Sequence, residues 1–289
     1  MFRHQKEAVE FLVKNNGCGA IFHDTGTGKT RTAIEAFMTL QKNYPPGLKT
    51  LKLFVVAPLS LLEAAWHEDI KRFAPELRYW NIHERGMPIP WASHDVFAIN
   101  YESFIVKRNF DHLCRVFKSQ PVMMVCDESS RAKNYASITT KTILKIRDLV
   151  PFRVVMSGTP APNSEMEYWA QMEFVMPGVL GHSFFGFRNT FFHLQRGAQI
   201  RQGQFMTRLQ AQDVFRHGWK YEITAQNREL LMKRISPHCH LARKAECLDL
   251  PEQVDEVRLV EMTAEQAKHY KEMKNDLITE INGTDIKDF

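Results

Sequence analysis

Residues 23–30 read His23-Asp24-Thr25-Gly26-Thr27-Gly28-Lys29-Thr30. Closely spaced glycines followed by Lys and Thr suit a loop whose backbone N–H groups turn inward around an anion. Thr25, Gly26, Thr27 and Gly28 would line such a loop. Lys29 would set a point charge against the β- and γ-phosphates of a bound nucleotide, and the Thr30 hydroxyl would be a ligand for Mg²⁺. A helix starting at this point aims its positive end at the phosphate. The general pattern has Gly at position 23, where this chain carries His23. Far downstream stands Asp127-Glu128. In phosphate-loop enzymes an acid at this place holds Mg²⁺, and a neighbour orients the attacking water. Asp127 takes the metal role in this reading and Glu128 the water-positioning role.

These residues need a frame that brings them together. Short apolar runs occur at 18–22, 53–57, 96–99, 122–126 and 154–156. None alternates polar with apolar, which is the pattern of strands buried on both faces of a parallel sheet. Helical periodicity lies between them: Ala33, Ala36, Phe37 and Leu40 share one helix face. The alternation predicts an α/β fold with ligands at the carboxyl ends of the strands. Each run ends in residues fit for that edge. The first leads into the glycine loop, the second into Pro58-Leu59-Ser60, and the third into Asn100-Tyr101-Glu102. The fourth leads into Asp127-Glu128-Ser129-Ser130, and the fifth into Ser157-Gly158-Thr159-Pro160.

Charge divides the chain of 289 residues into three. The net charge is +5 overall, with +4 over 1–182, +8 over 183–244 and −7 over 245–289. A concentrated basic stretch attracts phosphate backbones or forms a solvated helical face. No apolar run nears the roughly 20 residues of a membrane helix, and the opening MFRHQKEAVE is too polar for a signal peptide. Five scattered cysteines do not form a disulfide framework, so a reducing cytoplasm is expected, and the short, compact, untargeted form suggests that of a microbe or of a virus's host.

Taken together, the motifs resemble those of the superfamily-2 helicase-like ATPases, and within them the SWI/SNF-type DNA translocases. Phe2-Arg3-His4-Gln5 is similar to the adenine-reading motif, with Gln5 facing the base and Arg3 beside it. Asp24 to Thr30 resembles motif I. The stretch 55–62, with Trp66 and Glu68, resembles motif Ia, and 99–104 resembles motif Ib. Asp127-Glu128 through Asn134 resembles motif II, and Ser157-Gly158-Thr159 through Asn163 resembles the coupling motif III. Glu167-Tyr168-Trp169, Leu241-Ala242-Arg243-Lys244 and Met262-Thr263-Ala264-Glu265-Gln266 extend the likeness over most of the chain. The usual last His of motif II is Ser130 here, which puts coupling between motifs in question rather than hydrolysis.

The resemblance implies a RecA-like ATP-binding lobe over 1–164, a basic helical protrusion over 165–245, and a return segment with a C-terminal helix over 246–289. It implies ATP and Mg²⁺ as ligands and double-stranded DNA as a non-sequence-specific partner. Pro58, Ser60, Tyr101 and Asn163 are then the positions nearest the DNA phosphates. It also implies a second RecA-like lobe supplying an arginine finger; none is recognisable after residue 251. The activity implied is an ATP-driven duplex-DNA translocase; a non-hydrolysing nucleic-acid-binding scaffold and a helicase separating RNA or DNA strands are the alternatives.

Ser164-x-x-Glu167 predicts a helix start and Pro177-Gly178 its stop. Thr263-x-x-Gln266 predicts another, striped by Ala267, Tyr270, Met273, Leu277 and Ile281 and ended by Asn282-Gly283. The phenylalanines of 184–192 read as the core of a helical subdomain, and Trp66 as helix packing. His238-Cys239-His240 with Cys247 fits no common zinc spacing and reads as a helix end with a buried Cys.

Overall fold

In the computed structural model, described over residues 1–45, 49–196, 219–247, 260–276, 278–281 and 284–287, all five apolar runs are strands. They form β1 (Cys18–His23), β2 (Lys52–Ala57), β4 (Val96–Asn100), β5 (Val122–Asp127) and β6 (Phe152–Met156), with a short β3 (Tyr79–Asn81) between the second and third. An antiparallel ribbon of β7 (Phe192–Arg196) and β8 (Trp219–Ile223) follows. β9 (Cys239–Ala242) then returns to the sheet beside β1. The parallel sheet has the order β3-β4-β2-β5-β6-β1-β9.

The apolar runs are continuous because both faces are covered. Phe54, Val56, Met124 and Cys126 point into one core. Leu53, Val55, Met123 and Val125 point into the other, which also holds Ile21. A one-residue slip would still bury apolar side chains on both faces, so hydrophobicity alone does not fix the register. Polar strand ends mark it instead: Asp127 lies opposite Met156, and Ala57 opposite Asn100.

The longer helices are α1 (Arg3–Lys14), α2 (Lys29–Lys42), α3 (Lys107–Phe117), α4 (Ile138–Ile146), α5 (Tyr168–Val175), α6 (Phe184–Phe191), α7 (Ala225–Ile235) and α8 (Ala264–Asp276). The expected α2 face is buried, with Ala33, Ala36, Phe37 and Leu40 all in the second core. α5 follows a turn capped by Ser164 and ends before Pro177-Gly178, as its sequence signals predict. Phe187, Phe191 and Phe192 join the first core, and Phe184 stacks on Tyr135 at 3.6 Å between ring centres. These four are packing residues, as expected, but Phe185 is exposed and lies under the Arg188 guanidinium instead of in the core. Among the described residues, no helix is long and apolar enough to cross a membrane.

Three expectations are corrected. The stretch 165–245 is not wholly helical: it contains the β7–β8 ribbon, and its last strand belongs to the main sheet. Cys239 lies in that strand rather than at a helix end. Its thiol touches Met172 at 3.9 Å, and burial pushes it up to about 12. Residues 250–289 form a separate unit. There Thr263 and Gln266 cap α8 reciprocally, at 3.0 and 3.2 Å. The helix ends at Asp276, however, and Ile281 sits in a strand (Ile278–Ile281) paired antiparallel with Thr284–Lys287. Leu277 and Asn282-Gly283 lie outside the described residues. Asn-Gly is as strong a hairpin signal as a helix stop, which is why the helical reading ran too long.

Candidate nucleotide site

The neighbouring carboxyl ends of β1, β6 and β5 put three motifs side by side. Ser157 N donates to Ile21 O at 3.2 Å, binding the start of motif III to β1. A Cβ on Gly158 would lie 3.2 Å from Thr25 Oγ1, so a larger residue would crowd the loop. Gly26 and Gly28 have φ values of 86° and 81°. Only glycine adopts these readily, and a Cβ on Gly28 would collide with Gln5 Nε2. The loop runs into α2 at Lys29, and Thr30 lies in that first turn. Lys29 is buried, and its ammonium donates to His23 O at 3.0 Å and Asp24 O at 3.4 Å. Its hydrogen-bond partners are neutral carbonyls, and the Asp127 carboxyl feels it only through space, so the ammonium suits an anion.

Asp127 is 3% exposed. Its Oδ1 accepts from Glu128 N at 2.9 Å and its Oδ2 from Trp66 Nε1 at 2.9 Å. Burial pushes its carboxyl up to about 6; the Trp66 hydrogen bond opposes that and the Glu128 charge adds to it. A buried carboxylate held in fixed orientation by two neutral donors fits a cation as its missing partner. Glu128 has φ 47° and ψ 53°, a left-handed conformation unusual for Glu. Ser157 Oγ lies 3.5 Å from its Oε2 and accepts from Thr159 N at 3.1 Å.

Trp66 is therefore more than helix packing. It is fully buried in a π-helical turn, Leu62–His67. Such turns insert one residue into a helix and re-aim side chains, often at functional sites. Gln171 is a second residue that the sequence reading missed. It accepts from Ser129 Oγ at 2.6 Å and donates to Pro160 O at 2.6 Å, joining motif II to motif III through α5. With Ser130 in place of the usual His, this buried bridge supplies a physical link between the two motifs.

The expected base-reading and DNA positions divide between buried and exposed side chains. Gln5 is buried, donates to Thr27 O at 3.1 Å and accepts from Phe2 N at 2.9 Å. It braces the loop rather than facing outward. Arg3 is exposed and paired with Glu7 at 2.8 Å. Ser60 and Asn163 are exposed, with Asn163 Nδ2 bonded to Glu167 at 2.9 Å. Pro58 and Tyr101 are buried, and Tyr101 donates its hydroxyl to Asp127 O at 2.7 Å. The side chain of Tyr101 thus supports motif II from within and is not on the surface.

His23 fits the loop because only its carbonyl faces Lys29. Its ring points away, with Nε2 at 2.8 Å from His240 Nδ1 on β9. Burial pushes His23 down to about 3, and the nearby charges of His240, His4 and Lys29 act the same way. The unfolded chain protonates this ring near its ordinary value of 6.5, the folded chain only near 3. Its contribution to stability is therefore complete above about 6.5 and is lost as pH falls toward 3. At pH 5 the loss relative to pH 7 should be about 2 kcal/mol. Asp127 acts with the opposite sign, so the comparison needs a variant. Urea unfolding at pH 7 and pH 5 should show that His23→Leu cuts the acid loss by this amount. An unchanged pH dependence would contradict the assignment.

A family model of the SNF2-related domain matches residues 4–288. The human DNA repair and recombination protein RAD54B is 31% identical over 193 residues, covering 62% of this chain and 20% of that protein. An uncharacterized ATP-dependent helicase of Mycoplasma genitalium is 25% identical over 299 residues, covering 99% of this chain and 24% of that protein. The SWI2/SNF2 ATPase core domain of Sulfolobus solfataricus superposes with a TM-score of 0.61 at 25% identity, covering 94% of this chain and 50% of that one. The same core in complex with dsDNA gives 0.61 at 24% identity, over 84% and 44%. The chain thus spans about a fifth to a quarter of the curated relatives it matches.

Proposed function

We infer the function from one premise: the chain belongs to the SNF2-related domain family. We propose that it is the ATP-binding first lobe of an ATP-driven translocase acting on duplex DNA. The observation that carries this reading is the meeting of the glycine loop, Asp127-Glu128 and Ser157 at neighbouring strand ends. Lys29 and the loop amides hold the phosphates in this reading. The Thr30 hydroxyl and the Asp127 carboxylate would hold Mg²⁺, which when bound neutralises charge on the β- and γ-oxygens. Glu128 orients the attacking water. Ser157 and Gln171 tie that carboxylate's segment to motif III. The intact set of Lys29, Thr30, Asp127 and Glu128 favours a hydrolase over a scaffold that has lost its chemistry. Duplex DNA would be held mainly by its backbone, without sequence preference, at a surface that includes Ser60 and Asn163.

Calorimetry with Mg²⁺–ATP tests the nucleotide half of the reading. Lys29→Ala removes a charged donor to phosphate, an interaction worth about 1.5–3 kcal/mol. ATP affinity should therefore fall by about tenfold or more. Equal affinity of the variant and the parent chain would refute the phosphate site.

A further inference from the structure

A second ammonium lies at the glycine loop, brought there by a distant part of the chain. β9 runs parallel to β1, and Ala242 at its end accepts from Asp24 N at 3.0 Å. Two residues on, Lys244 N donates to Asp24 Oδ2 at 2.8 Å. The Lys244 side chain then passes over the loop. A methyl group on Gly26 would lie 3.9 Å from Lys244 Nζ and 4.0 Å from Cε. Lys244 is exposed, whereas Lys29 is buried. Among the described residues no carboxylate pairs with the Lys244 ammonium, while its neighbour Arg243 approaches Glu246 at 3.8 Å.

The arrangement matters because of what the loop is built to accept. Polyphosphate brings several negative charges to a site where Lys29 already uses its reach from beneath. A solvent-side ammonium next to Gly26 lowers the cost of bringing that charge in. The Lys244 backbone is fixed by Asp24, so little chain entropy is lost when the side chain engages.

We infer that Lys244 is a second phosphate-binding cation, contacting the terminal phosphates of a nucleoside triphosphate. This rests on the phosphate-site reading above. It makes one residue both an anchor of β9 on the loop and a ligand of the nucleotide. Phosphate occupancy is then felt on the strand that returns the chain to the sheet, as well as in the motifs of β1, β5 and β6.

Calorimetry with Mg²⁺–ATP and with adenosine, on the parent chain, Lys29→Ala, Lys244→Ala and Lys244→Arg, tests this. Lys244→Ala should weaken ATP binding about tenfold, leave adenosine binding unchanged and leave the thermal midpoint unchanged. Lys244→Arg should restore most of the affinity, and the difference should shrink as salt rises. Wild-type ATP affinity in Lys244→Ala, alongside a loss in Lys29→Ala, would overturn this inference and leave the phosphate site standing. An equal loss of adenosine and ATP affinity would also overturn it, because the lysine would then be structural. No loss in either variant would sink the phosphate site itself.

Discussion

By itself, the 289-residue chain should hydrolyse ATP about 10³- to 10⁵-fold more slowly than when supplied with a RecA-like lobe carrying a transition-state arginine. Phosphoryl transfer leaves a protein mostly positioning and charge stabilisation to do. Lys29, Thr30, Asp127 and Glu128 can supply phosphate, metal and water positioning from one side. The arginines nearest in sequence to the motifs are committed elsewhere. The Arg31 guanidinium lies over the Phe73 ring at 4.2 Å, and Arg131 holds Glu102 at 3.0 Å. Arg3 is paired with Glu7. Freeing any of these would break a cation–π contact or an ion pair. Phosphate release measured with duplex DNA present, with and without an added second lobe, checks the prediction. Fast turnover by the chain alone would mean that an arginine within it, or from a second copy, completes the site.

The division between what the sequence revealed and what it hid follows contact range. The loop of 23–30 and the Asp127-Glu128 pair are local, because the backbone conformation and side chains that bind phosphate come from adjacent residues. The parallel sheet was equally plain, since burial on both faces leaves unbroken apolar runs. Contacts made across the fold left no such mark. Trp66 reaches Asp127, Gln171 reaches Ser129, and His240 reaches His23, each across a long stretch of chain. A Trp on an apolar helix face looks the same whether or not its N–H finds a carboxylate. β3 was hidden because three residues, Tyr79–Asn81, carry too little pattern. β9 was hidden because it is an edge strand, and Cys239-His240-Leu241-Ala242 mixes polar with apolar residues. The side chain of Tyr101 could not be placed from the sequence, because its motif position says nothing about where a phenol points. The core claims it, and its hydroxyl is bonded to the Asp127 carbonyl. Gln5 shows the reverse economy, a residue of the expected type at the expected place whose amide is engaged with the loop backbone.

Glu128→Gln should remove hydrolysis while sparing nucleotide binding, and the geometry says why the two separate. Among the described residues Glu128 makes no hydrogen bond or ion pair with Lys29 or the loop; its Oε2 faces Ser157 Oγ at 3.5 Å. A carboxylate there can accept a proton from, or orient, a water attacking the γ-phosphate, and an amide of the same shape cannot act as the base. Loss of a positioned general base costs about 10²- to 10⁴-fold in rate. The backbone supports the same assignment. Glu128 sits at φ 47°, a left-handed conformation that costs a non-glycine residue roughly 1–2 kcal/mol. Such strain concentrates at functional sites, where it holds a side chain in a working direction. Here it turns the chain at once after Asp127, so that two consecutive acids serve different partners: Asp127 meets Trp66 and Glu128 meets Ser157. Gln keeps the side-chain length and the strained backbone, so stability and ATP affinity should stay near those of the parent. Multiple-turnover phosphate release, measured with the second lobe present, should fall by at least two orders of magnitude. Residual turnover near the parent rate would assign the water to another group, with Ser157 the first to test.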